Sequence, residues 1–184
     1  MSHLALLYMT REGQARKVME RIAYCLEEVG HRVSIAAIND LPADYSLEAF
    51  DGVVLGCSIR YGRHHKLFCR FVEKHRAVLE QKPNFFFSIN LTARKPNRSE
   101  PHNNLYLQKF LKKSGWAPTR VDVFAGALLY TRYRFLDRLM IQLIMRITNG
   151  PTDPSKDTEF TNWSRVKRFA DTVSSDMQRL SEAA

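Results

Sequence analysis

Glycine is sparse in this chain of 184 residues, with eight in all. None is followed by Lys-Ser/Thr, which excludes a triphosphate-binding P-loop. The three-glycine dinucleotide fingerprint is missing as well. Cysteine is scarcer still. Cys25, Cys57 and Cys69 are odd in number and lack metal-ligand spacing, so neither a disulfide framework nor a cysteine metal centre is expected. The adjacent His64 and His65 have no evident third ligand, so no metal is expected there either. No Ser/His/Asp or Cys/His arrangement can be defended from spacing. Internal repeats are absent. No basic lead-in precedes the first apolar run, so no secretory signal is expected. Acidic residues are outnumbered 19 to 28 by Lys and Arg, for a net charge of +9.

What is present fits one α/β domain over residues 1–184. An apolar share of 45% is ordinary for a folded protein. The charge is unevenly placed: residues 1–59 carry −3, residues 60–76 carry +5 and residues 91–120 carry +6. The positive field lies mid-chain and would attract nucleic acid, anionic lipid or acidic small molecules.

Apolar runs alternate with helical periodicity. Strands are expected at Leu4–Tyr8, His31–Ile38, Asp51–Cys57, Asn84–Asn90 and Val121–Leu129. Helices are expected at Gly13–Val29, His65–Leu79, Asn104–Lys113 and Asn162–Leu180. This alternation predicts a parallel sheet covered by helices on both faces. Five strands suit the doubly wound order 2-1-3-4-5, with ligand bound beyond the carboxyl ends of the strands.

Three loops then converge. Residues 9–14 join a strand to a helix N-terminus, whose unpaired N–H groups can hold a phosphate; an ordinary strand-to-helix turn is the alternative. Residues 57–63 hold Arg60, Tyr61, Gly62 and Arg63. Residues 90–104 hold Asn90, Leu91, Thr92 and Ala93, which can hydrogen-bond a ring edge, then Arg94, Lys95 and Arg98, which can pair with carboxylates. The alternative for both basic loops is a solvated surface.

Residues 130–160 break the alternation. Arg134, Arg138, Gln142 and Arg146 recur every four residues within YTRYRFLDRLMIQLIMRITNG. A helix over 131–148 would be about 27 Å long. It should not span a bilayer, since each buried arginine costs roughly 2.5–3.5 kcal/mol. Tyr133, Arg134, Phe135, Arg138 and Arg146 suit a membrane interface instead. Packing on the domain and a homo-oligomer contact are the competing readings.

These residues resemble flavodoxin-like proteins and, more closely, the menaquinone-dependent protoporphyrinogen IX dehydrogenases of bacterial heme synthesis. The likeness rests on TREGQ at 10–14, GCSIRYG at 56–62, SINLTARKP at 88–96, FAGAL at 124–128 and YTRYRFLDRLMIQLIM at 130–145. It implies a flavodoxin-like fold with an extra basic amphipathic helix before the last helix. It implies FMN as cofactor and oxidation of protoporphyrinogen IX to protoporphyrin IX, with menaquinone or ubiquinone as acceptor and no protein nucleophile. Met9, Thr10, Arg11, Glu12, Gly13 and Gln14 would wrap the FMN phosphate; the family has Ser where this chain has Met9. Ser58, Ile59, Arg60, Tyr61 and Gly62, with Asn90, Leu91, Thr92 and Ala93, would border the flavin ring. The substrate propionates would meet Arg63, Arg94, Lys95 or Arg98. The implied location is peripheral, on the cytoplasmic face of the bacterial inner membrane, with no nucleic-acid partner. An electron-transfer flavodoxin, an NAD(P)H:quinone reductase and a nucleic-acid-binding module are the alternatives. Shuttle flavodoxins are typically acidic, which +9 opposes.

Overall fold

The computed structural model describes residues 1–133, 135–147 and 150–182. Its main sheet holds the parallel strands β1 (His3–Met9), β2 (Arg32–Ala37), β3 (Gly52–Arg60), β5 (Asn84–Asn90) and β6 (Arg120–Ala125), in the order β2-β1-β3-β5-β6. A two-residue strand, β4 (Arg63–His64), folds back on β3. Helices α1 (Gln14–Glu28), α2 (Lys66–Glu80), α3 (Leu105–Ser114) and α5 (Trp163–Glu182) cover the sheet.

The central strands read as unbroken apolar runs because both of their faces are covered. Alternate residues feed two separate cores. Leu4, Leu6, Val54, Phe85 and Phe87 pack against Ile22 and Leu26 of α1 and Val166 and Val173 of α5. Ala5, Leu7, Val53, Leu55 and Phe86 pack against Phe68 and Val72 of α2, Leu107 and Phe110 of α3, and Trp116. Each such side chain, once buried, stabilises the fold by about 1.5–3 kcal/mol. Gly56 is required where the sheet is tightest: a Cβ there would lie 2.1 Å from the Phe87 ring.

Four departures from the sequence reading matter for the site. The expected 57–63 loop is largely strand, because β3 runs on to Arg60. Tyr61 (φ 51°) and Gly62 (φ 74°) then turn the chain back, with the two positive φ angles of a tight I′ hairpin. The segment after β5 coils into short 3-10 turns at Leu91–Arg94, Pro96–Arg98 and Pro101–Asn103. The last expected strand breaks at Gly126. Beyond it β7 (Ala127–Leu128) leaves the main sheet and pairs antiparallel with β8 (Thr158–Glu159).

The fourth departure is in the insertion. Tyr130–Arg132 form a 3-10 turn, and α4 runs only over Phe135–Ile147. At 1.5 Å per residue it is about 20 Å long. Among the described residues no helix is long and apolar enough to cross a membrane.

Candidate functional site

The parallel register brings Met9 opposite Cys57, Ser58 opposite Ile89, and Asn90 opposite Ala125. The carboxyl ends of the strands therefore finish together, and a cavity of about 450 Å³ opens beyond them. Three segments expected from the sequence line it: Glu12 and Gln14; Ser58, Ile59, Arg60, Tyr61 and Gly62; and Asn90, Leu91, Thr92, Arg94, Lys95 and Arg98. Further lining comes from Ile89, Leu105, Tyr106, Gly126 and Ala127, and from the insertion through Tyr133, Ile141, Ile144 and Met145.

The loop after β1 is built to start a helix without a side-chain cap. Thr10 Oγ1 accepts from Gly13 N–H at 3.0 Å, so it holds the turn. Gly13 sits at φ 94°, a region that side chains strain to enter. No side chain caps α1, so its first-turn amides and dipole are available to an anion. Arg132 reaches in from the insertion and donates to the Glu12 carbonyl at 3.0 Å.

Arg60 is the hub of the rim. Its guanidinium pairs with Glu12 and, at 2.5 Å, with Asp137 of α4. It also lies over the rings of Tyr61 and Tyr133, 5.2 and 5.8 Å from their centroids. The Tyr61 hydroxyl donates to Asp137.

Below the cavity, Asn90 organises the 91–94 turn. Its Oδ1 accepts from Thr92 Oγ1 at 2.6 Å and from Ala93 N–H at 3.1 Å. Asn90 and Asn104 exchange side-chain amide hydrogen bonds at 3.3 Å, and Asn104 also caps α3 by accepting from Leu107 N–H. Arg94 donates to the Leu91 carbonyl at 2.9 Å and lies 6.0 Å from the Phe160 ring centroid. Burial pulls its guanidinium below the ordinary arginine value, yet it remains a cation at any physiological pH.

Several expected residues are engaged in other contacts. Met9 is buried at the end of β1 and belongs to the core, so its side chain takes no part in a phosphate cradle. Gln14 donates to Glu159 and Thr161, at 3.1 and 2.8 Å, which spends its amide on pinning β8 to α1. Ala93 is buried and its N–H is committed to Asn90. Thr10, Arg11 and Gly13 belong to the loop beside the cavity and do not line it. Arg63 points to solvent from β4, away from the lining. Tyr133 is half-buried against Arg60 and lines the cavity. Arg138 is half-buried too, with its Nε unpartnered. Phe135 and Arg146 are exposed. Arg134 lies outside the described residues.

His64, His65 and Cys57 take structural roles. His64 is buried among Phe68, Phe86 and Phe110, with Nε2 2.9 Å from Ser88 Oγ. Burial pushes its pKa down to about 3, so it is neutral. His65 caps α2, accepting from Leu67 N–H. Cys57 is fully buried, which raises its thiol far above the ordinary range and leaves it no nucleophile.

Residues 5–155 match the Flavodoxin domain family. Protoporphyrinogen IX dehydrogenase (quinone) of Escherichia coli K12 is 44% identical over 165 residues, covering 90% of this chain and 91% of that protein. This chain belongs to that family. The protein of the same name from Leishmania major is 43% identical over 166 residues, covering 90% of this chain and 71% of its own. Solved flavodoxins share the fold at low identity. An archaeal flavodoxin superposes with a TM-score of 0.54 at 12% identity, covering 96% of this chain and 99% of that one. Flavodoxin 1 of Bacillus cereus gives 0.55 at 15%, covering 94% and 97%.

Proposed function

We infer that this protein is an FMN-dependent dehydrogenase. It oxidises protoporphyrinogen IX to protoporphyrin IX and delivers the electrons to menaquinone or ubiquinone. The observation that carries this reading is a convergence. The SIRYG hairpin, the NLTARKP segment and the helical insertion are far apart in sequence and line one cavity at the carboxyl end of a flavodoxin sheet.

The residues present fit FMN. The uncapped N-terminus of α1, with Gly13 held open by Thr10, accepts a phosphate, and Arg132 stands beside it as a cation. A Cβ on Gly13 would meet its nearest neighbour, Arg132 Nη1, only at 3.8 Å, so there is space for phosphate oxygens. Tyr61 offers an aromatic face at the rim, and the Asn90 turn frames the ring edge. FMN, when bound, supplies the two-electron chemistry that no side chain here can.

The chain does the rest. Arg94, Lys95 and Arg98 give the cavity a positive side that suits the propionates of a tetrapyrrole. Ile141, Ile144 and Met145 give it an apolar side that excludes water from the macrocycle.

The outer face of α4 completes the reading. Phe135, Leu136, Leu139, Leu143 and Ile147 are exposed by 72, 76, 49, 59 and 75%. A contiguous exposed apolar stripe marks a binding surface. With Arg146 and Arg132 near its ends, it suits an anionic membrane, which also holds the lipophilic quinone. The enzyme works at the cytoplasmic face of the bacterial inner membrane, bound peripherally.

Anaerobic assay tests the reading. The purified flavoprotein should reduce quinone when given protoporphyrinogen IX and not when given NADPH. Reduction with NADPH alone would make it a quinone reductase instead.

A further inference from the structure

Little holds α4 over the cavity. Met145 is the helix's buried residue, packed with Leu128 and Tyr130. Ile141 packs half-buried on the same cluster, and among the described residues polar side chains add the further ties. Gln142 Nε2 donates to the Thr152 carbonyl at 3.0 Å, near the C-terminal end. Near the N-terminal end Asp137 accepts from Arg60 and from the Tyr61 hydroxyl. Arg60 in turn holds Glu12 of the loop after β1. Arg60, Glu12 and Asp137 side chains are 20, 25 and 23% exposed, so bulk water screens these pairs only in part. Asp137 is also the lone acid of residues 130–150.

Helical spacing gives this contact its consequence. Residues four and seven positions beyond Asp137 share its face of the helix, and these are Ile141 and Ile144. Both line the cavity. The acid that docks the helix and the apolar wall it presents are therefore one face. If α4 turned about its axis, the wall would turn away with it.

We propose that Asp137 is a positioning residue: by docking α4 on Arg60 and Tyr61 it sets the apolar wall against which a flat tetrapyrrole dicarboxylate binds. This rests on the functional reading above. It makes the insertion part of substrate recognition and not only a surface element.

The test uses the FMN-loaded protein with Asp137→Ala and Asp137→Asn. Asparagine keeps an acceptor for the Tyr61 hydroxyl but loses the charge that holds Arg60. Three readouts are needed: protoporphyrin IX affinity by fluorescence, FMN affinity by flavin fluorescence, and the rate of tryptic cleavage after Arg138 and Arg146. Asp137→Ala should weaken protoporphyrin IX binding about tenfold or more and speed cleavage, with FMN affinity within about threefold of wild type. Asp137→Asn should fall between the two. Unchanged porphyrin affinity in Asp137→Ala would overturn the proposal, and so would porphyrin and FMN affinities falling in step. If the wild type binds no protoporphyrin IX yet reduces quinone from another donor, the functional reading fails and the tetrapyrrole half falls with it. Cleavage then decides the docking half alone, faster cutting in Asp137→Ala upholding it and equal cutting overturning it.

Discussion

Helices α5 and α4 lie close in sequence and handle their apolar residues in opposite ways. In α5, Val166, Phe169, Ala170, Val173 and Met177 are buried against the sheet, and the polar face meets water. In α4 the buried residue is Met145, while Phe135, Leu136, Leu139, Met140, Leu143 and Ile147 stay exposed. Burying six such side chains would be worth on the order of 10 kcal/mol, and α4 forgoes it. A helix that gives up so much within its own fold has a use for that face outside it. The expected arginine stripe is accordingly displaced: Arg138 is half-buried and Gln142 bonds inward to Thr152. One helix builds the fold; the other is carried by it.

The sharpest way to break this comparison is to remove one apolar side chain from each helix. Phe169 packs edge-on against Phe87 and Phe124. Phe169→Ala should cost about 3–5 kcal/mol in denaturant unfolding. Leu139→Ser, by contrast, should change stability by no more than about 0.5 kcal/mol. Equal losses would mean that α4 is packed as tightly as α5.

Acid probes the same division from the α2 side of the sheet. The buried His64 has a folded-state pKa of about 3, below its ordinary 6.5. The folded protein therefore resists a proton that the unfolded chain accepts. The stability tied to neutral His64 is complete above pH 6.5 and drains as pH falls toward 3, by about 1.4 kcal/mol per unit. His64→Phe should flatten that slope, at the expense of an unpaired Ser88 hydroxyl at neutral pH. Unfolding curves at several pH values would show it; an unchanged slope would place the acid sensitivity elsewhere.

A smaller effect separates the insertion's two jobs. Arg132→Ala should weaken FMN about tenfold while leaving riboflavin, which lacks the phosphate, unaffected. Titration of both flavins into apoprotein measures it. Equal weakening would take Arg132 away from the phosphate. Smallest in stability but visible at the bilayer, Leu136→Ser with Leu139→Ser should lower affinity for anionic vesicles several-fold in a sedimentation assay.

The same contrast explains what the sequence could say. The sheet and its covering helices were legible because short apolar runs such as NFFFSIN, rich in aromatics and bounded by asparagines and proline, suit strands buried on both faces, and the α1 and α5 periodicities bury what they advertise. The hairpin after β3 was harder, since positive φ at Tyr61 is a property of the fold and not of tyrosine. Gly126 gave no warning that β7 would leave the sheet for β8. In the site, Ser58–Gly62 and Asn90–Thr92 were readable from position alone, at the ends of strands. Tyr106, Ile141, Ile144 and Met145 were not, because an apolar residue does not declare which wall it faces. Asp137 did leave a signal: one acid in a basic, apolar stretch asks for a partly buried cation, and Arg60 is that cation. Met9 sits in the 9–14 loop with its side chain in the core, and Gln14 lines the cavity while its amide is bonded to Glu159 and Thr161.

The central claim joins substrate, quinone and membrane at one site, and one measurement addresses all three. It is the anaerobic reduction by protoporphyrinogen IX of a long-chain quinone embedded in anionic vesicles, compared for wild type and Leu139→Asp. Wild type should reduce three quinones for each porphyrin formed. The variant should lose that activity while still reducing a short water-soluble quinone. A wild type that reduces no quinone with protoporphyrinogen, or a variant that matches it on vesicles, would contradict the account.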